Sequence, residues 1–166
     1  MSEIGPSSPN IAIFLAKVSA ELNIPLSPPK DVTAFGDNPA LKDELLDLLL
    51  QGKKTSTTTW PIPETLHWGV GDLSVILDGK GEPKAIIKTT SVERCKFRDV
   101  REEFALAEGE GNYQEWRDGH KRYFERSKDS KAFSEDAEVL CEWFEVVYPQ
   151  ITRNKSRAIP YRGRKK

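Results

Sequence analysis

The stretch Gly52-Lys53-Lys54-Thr55-Ser56-Thr57-Thr58-Thr59 sets two lysines against five hydroxyl side chains in seven residues. A lysine is a compact point charge suited to phosphate. Partly buried, it gives up its proton more readily and can act as a base. A threonine hydroxyl beside it becomes a nucleophile once a base takes its proton. Glu108, near the end of an expected helix, could supply the acid that protonates a leaving group. Two readings stand side by side. The stretch lines a site for a polar, nucleotide-like ligand, or its lysines are solvated and its threonines only favour a strand. Spacing alone favours the second.

Aromatic residues leave a similar choice. Trp116, His120, Tyr123 and Phe124 fall on one helical face. Most such stripes are core, yet Trp60, Trp68 or Trp116 could offer a stacking surface for a base. His120 is read first as a structural histidine and second as a site residue, with Lys53 and Arg117 as secondary contacts. His67 and His120 are the only histidines, and Cys95 and Cys141 have no CxxC pairing, so the sequence offers no metal set. There is no phosphate-binding loop of the G-x-x-x-x-G-K-[ST] type, no dinucleotide fingerprint and no nucleophile elbow. No cofactor is expected.

The elements that must position these residues can be read in part. Ile11, Phe14, Leu15, Val18 and Leu22 mark a first helix, ended by Pro25, Pro28 and Pro29. Asp37-Asn38-Pro39 starts a second helix, with Leu41, Leu45, Leu48 and Leu49 on one face. Gly52 is placed as its left-handed cap, so Lys53 to Thr59 leaves a helix end in extended form. Leu73 to Leu77 reads as a strand, Asp78-Gly79-Lys80-Gly81 as a hairpin turn, and the return strand runs to about Val92, with an extension toward Phe97. Asp99 is placed as the cap of a helix over Val100 to Ala107, with Glu102 or Glu103 completing a capping box. A helix from Tyr113 to about Arg126 and a strand from Val139 to Tyr148 complete the pattern. Strands mixed irregularly with short helices predict an α+β fold, a small, mostly antiparallel barrel or curved sheet with peripheral helices.

With 166 residues, 31% charged and 37% hydrophobic, the chain reads as one soluble domain with tails. Neither a membrane span nor a signal peptide is expected. The cysteines read as reduced core thiols of a cytoplasmic or nuclear protein. The net charge of −1 conceals an asymmetry: Arg153, Lys155, Arg157, Arg162, Arg164, Lys165 and Lys166 give the last fifteen residues +7, which leaves the rest at −8. Such a tail suits nucleic acid, an anionic surface or an import receptor, or is simply solvated.

Five blocks in order carry a resemblance. Gly52-Lys53-Lys54-Thr55-Ser56-Thr57 matches the G-x-K-x-x-T signature of the ASCH domain, a relative of the PUA domain. Phe35-Gly36-Asp37-Asn38-Pro39-Ala40-Leu41, which leads into it, resembles the larger bacterial-type subgroup. So do Ala107-Glu108-Gly109-Glu110-Gly111, Trp116-Arg117-Asp118-Gly119-His120 and Phe144-Glu145-Val146-Val147-Tyr148. The resemblance covers about residues 34 to 149, with residues 1–33 as an N-terminal extension bearing one helix and residues 150–166 as the basic tail. It implies a PUA-like β-barrel with a cleft beside the signature loop, and it brings RNA binding, RNA cleavage and hydrolysis of acetylated cytidine as associated activities. In the amidohydrolase branch a lysine is the base, a threonine the nucleophile and a glutamate the acid. The resemblance carries these to Lys54, Thr57 and Glu108. That branch is shorter and lacks the Trp116 to His120 block.

Three functions are therefore expected to compete. One is a metal-independent hydrolase of RNA or a modified nucleoside. The others are a non-catalytic RNA-binding module and a protein-interaction adaptor that uses the tail.

Overall fold

A computed structural model describes residues 5–127 and 132–151. The basic tail residues from Arg153 to Lys166 lie outside the described residues. Strands β1 (Asp31–Thr33), β2 (Ser56–Thr59), β3 (Leu73–Leu77), β4 (Pro83–Lys96) and β5 (Glu138–Tyr148) form one sheet in the order β1-β3-β4-β5-β2. Helices α1 (Pro9–Leu22), α2 (Pro39–Leu50), α3 (Glu102–Leu106) and α4 (Tyr113–Glu125) surround it. The fold is α+β and PUA-like, as the sequence predicts. Every strand pair is antiparallel except β1 with β3. The three-residue β1 has no alternation of its own and gives no strand signal in the sequence.

The long strand β4 organises the sheet. Its first half pairs with β3, and most of its length pairs with β5 out to Lys96 opposite Glu138. The register shifts between Ile86 and Ile87 and again between Thr89 and Ser91. Such irregularities bend a strand and increase its twist.

Alternation along the strands divides the core. Leu73, Val75 and Ile86 face α1 and pack against its Ile11, Phe14 and Val18. Ile76, Ala85, Ile87 and Phe144 face α2 and meet Leu46 and Leu49. A third, aromatic cluster joins α3 and α4 to Val139 and Cys141 of β5, through Phe97, Phe104, Trp116 and Phe124. Cys95 and Cys141 are free thiols with Sγ atoms 3.9 Å apart, and burial pushes both up from the usual thiol range.

The helix ends set the signature stretch. Asn38 caps α2 by accepting from Leu41 N, and Pro39 follows at the first helical position. At the other end Gly52 takes φ 77°, with Gly52 N bonded to Leu49 O and Lys53 N to Leu48 O. Those two bonds define a Schellman stop, which needs the left-handed residue that glycine supplies cheaply. The chain then turns directly into β2. The α3 region departs from expectation. Phe97–Asp99 is a 3-10 turn, and α3 begins at Glu102 after Arg101, with no side-chain cap. Asp99 is thus not a cap. Helix α4 carries the capping box instead: Asn112 accepts from Glu115 N while Glu115 accepts from Asn112 N.

Candidate functional site

A cavity of about 540 Å³ opens where the two edge strands and α4 approach one another. Asp31 and Thr33 line it from the β1 edge, and Thr57, Thr58 and Thr59 from the β2 edge. Its size lies within the roughly 300–1,000 Å³ of small-molecule sites. Because β2 is an edge strand, the cavity reaches residues from both of its faces. Thr57 pairs with Glu142 and Thr59 with Leu140, and all four line the cavity. Thr58 and Ser56 point the other way, toward α3 and α4.

On that second face lies a buried ion cluster. Lys54 and Glu108, separated by 54 positions, meet with Nζ 2.9 Å from Oε1, and each is about 1% exposed. Backbone contacts force the meeting. Thr55 N donates to Ala107 O at 2.7 Å, and Ser56 Oγ donates to Phe104 O at 3.0 Å. Gly109, at φ 78°, comes so close to Lys53 that a Cβ there would lie 2.8 Å from the Lys53 carbonyl oxygen.

Lys54 Nζ also donates to Ser56 O at 3.0 Å, stands 3.8 Å from Glu110 Oε2 and lies 4.8 Å from the Phe35 ring centre. Glu108 Oε2 accepts from Thr58 Oγ1 at 2.6 Å and from Trp116 Nε1 at 3.0 Å, with His120 Nε2 at 3.3 Å. Burial alone would raise the Glu108 carboxyl. The Lys54 ammonium, His120 and the Thr58 hydroxyl outweigh burial and hold it far below the usual carboxylate range.

His120 is placed so that its charged form is favoured. Its Nδ1 faces the Trp116 carbonyl oxygen at 3.1 Å and its Nε2 faces the Glu108 carboxylate. Both partners accept, so this placement favours the doubly protonated ring. Burial works against this charge, but Glu108 and then Glu110 leave His120 above its ordinary value. Glu110 is raised, by burial and by the negative charge of Glu108, against the pull of Lys54 and His120. In this resting cluster Glu110, not Glu108, is the carboxyl that keeps a proton more readily. Glu108 is therefore ionised at rest, and acting as a general acid requires that it first receive a proton.

The other expected contacts separate. Trp60 and His120 line the cavity, and Trp68 does so too. Trp116 does not: it is 1% exposed, stacked between Phe97 at 5.3 Å and His120 at 4.5 Å, and it orients Glu108 through its indole N–H. It has no face free for a base. Arg117 is turned away, held by Glu135 Oε1 at 2.6 Å and lying over Phe97 and Tyr113. Lys53 is exposed outside the cavity lining.

Sequence reasoning missed Phe35, Glu110 and Glu142, together with Arg122 of α4 and Arg126 just past its end. Glu142 had a signal: with Glu145 it is one of two carboxylates inside the expected apolar strand from Val139 to Tyr148. Glu110 lies between Gly109 and Gly111, where spacing gives no chemical signal.

Glu108, Glu110 and His120 each bring one ligand atom within 4.8 Å of the others, a spacing that could hold a metal ion. The Lys54 ammonium, 2.9 Å from Glu108, already occupies the cation position of that group. The donor set is therefore satisfied by the protein's own charge and fits a metal poorly.

The ASCH domain family model matches residues 31–148. No curated protein matches the chain. Among solved structures, a protein from Enterococcus faecalis V583 is 32% identical, with 83% of this chain and 88% of that one covered and a TM-score of 0.73. An ASCH domain from Lactobacillus crispatus JV V101 is 27% identical, with 85% and 96% covered and a TM-score of 0.74. The match begins at Asp31 and so takes in β1, while α1 precedes it. The chain belongs to the ASCH domain family, whose members are in general RNA-binding.

Proposed function

We propose that the cleft binds a base-bearing unit of RNA or a modified nucleoside and hydrolyses it without a metal. The carrying observation is the buried Lys54–Glu108 pair, which borders the same 540 Å³ cavity as the Thr57 hydroxyl and the aromatic side chains Trp60 and Trp68. The aromatics offer stacking surfaces for a base. Arg122, exposed at the cavity edge, is a contact for phosphate. In this reading Thr57 is the nucleophile. The resting pair holds its proton on Lys54, so the reaction begins with that proton passing to Glu108. The Thr57 proton then passes to Lys54 through water in the cavity, since Thr57 lies on the other face of β2. Thr57 bonds to the scissile centre, Glu108 gives its proton to the leaving group as that bond breaks, and a second water releases the group from Thr57.

A binding-only cleft is favoured by one specific observation. Lys54 Nζ is already engaged by Glu108, Ser56 O and Glu110, and Thr57 is not among these partners. Turnover of short RNAs and acylated nucleosides in EDTA separates the two readings, with Lys54→Ala and Thr57→Val as controls. Product formed by the wild type and lost in both variants supports hydrolysis. Binding with no turnover leaves the binding module, and neither binding nor turnover overturns both. If the basic tail adds phosphate contacts, removing residues 152–166 flattens the salt dependence of RNA affinity.

A further inference from the structure

Glu142 takes no part in the ion cluster. It is on the cavity-facing side of β5, opposite Thr57, and only 6% exposed. Its Oε2 accepts from Thr89 Oγ1 at 2.6 Å. Among the described residues no cation lies within salt-bridge distance of it, and no buried side-chain oxygen lacks a partner, so the second oxygen is one the cavity can reach. Burial raises this carboxyl. Thr89 opposes the rise, the charge of Asp31 adds to it and Lys54 draws it back. A desolvated carboxyl with a single hydroxyl donor gains most from a ligand that brings further N–H donors.

We infer that Glu142 is a base-reading residue, whose free oxygen accepts from the exocyclic amino group of a heterocycle held in the cleft. The chemistry is that of a carboxylate accepting from an amino group on a base edge, as glutamate and aspartate do toward cytosine N4. The surroundings fit a planar ring. Trp60 and Trp68 border the cavity, and Ile87 and Leu140 supply apolar surface near Glu142. The ligand class is therefore an amino-bearing pyrimidine or purine, in preference to uracil. This rests on the nucleoside-binding reading above.

The test is a binding panel on the full chain at pH 7, read by tryptophan fluorescence and titration calorimetry. The probes are cytidine, its N4,N4-dimethyl derivative and uridine, each as the 5′-monophosphate. The wild type is expected to bind the cytidine probe about tenfold more tightly than the other two, the size of one hydrogen bond to a charged group. Glu142→Gln keeps an acceptor for Thr89 and nearly the same volume. It should retain the wild-type melting profile and lose most of that discrimination. Equal discrimination in Glu142→Gln overturns the inference and leaves the nucleoside-binding reading standing. If the wild type binds none of the three probes nor a short RNA, that reading falls and the inference falls with it.

Discussion

Replacing Lys54 with methionine removes the ammonium 2.9 Å from Glu108 Oε1 and keeps an apolar chain of similar reach. Both partners are almost fully buried, so water cannot take over the lost contact. Removing one member of a buried ion pair costs about 3–5 kcal/mol, because the other charge is left without its partner. The lower end applies here, since Glu108 keeps Thr58, Trp116 and His120. Glu108→Gln is expected to cost less than Lys54→Met, because Glu110 Oε2 already stands 3.8 Å from Lys54 Nζ and can take the charge. The double variant removes both charges of the pair together, and Glu110, 4.0 Å from His120 Nε2, remains to face the imidazole. Its loss should fall short of the summed single losses by about 2 kcal/mol, within the range for directly contacting residues. Urea unfolding of the four proteins at pH 7 measures this, with unchanged denaturant slopes required for the comparison. A coupling below about 0.5 kcal/mol, the scatter of independent sites, would refute the claim that the pair acts as one buried unit.

Two further outcomes follow from the same cluster. His120 is raised in the folded protein, so its charged form adds stability that is full below the unfolded value of about 6.5 and is lost as pH rises through the folded value. The melting-temperature gap between the wild type and His120→Gln should therefore be widest in mildly acidic buffer and narrow toward alkaline pH. A constant gap would mean that His120 is not held as an imidazolium. Gly109→Ala forces a Cβ to within 2.8 Å of the Lys53 carbonyl oxygen at a positive φ, and should cost about 1–3 kcal/mol. Gly69→Ala, where an added Cβ meets nothing within 4 Å, should stay within about 0.5 kcal/mol in the same unfolding assay.

How far the sequence revealed this site depends on the range of the interactions that build it. The helix α2 start at Asn38-Pro39, its stop at Gly52 and the β3–β4 turn are set by residues a few positions apart, and all were legible. Strand β1 exists because Asp31, Val32 and Thr33 pair with Ser74, Val75 and Ile76, which no local pattern encodes. Asp99 failed as a cap because Phe97, fully buried among Trp116, Phe124 and Val139, fixes the turn before α3. Within the site, the meeting of Lys54 and Glu108 could be suspected only by resemblance, since 54 positions separate them.

The hydroxyl choice shows a subtler limit. In a strand, neighbours point to opposite faces, so Thr57 and Thr58 cannot share one environment. Thr58 goes to Glu108, and Thr57 goes to the face it shares with Glu142. A run of five hydroxyl residues hides that division, because each position looks chemically alike. Along β5 the division is visible: Leu140, Glu142 and Phe144 share the cavity-facing side, and the one carboxylate among them interrupts an apolar row. Placing that carboxylate in an apolar row costs stability unless a partner repays it. Thr89 gives one hydrogen bond, and the remaining oxygen faces the cavity, which is where a ligand would have to complete the set.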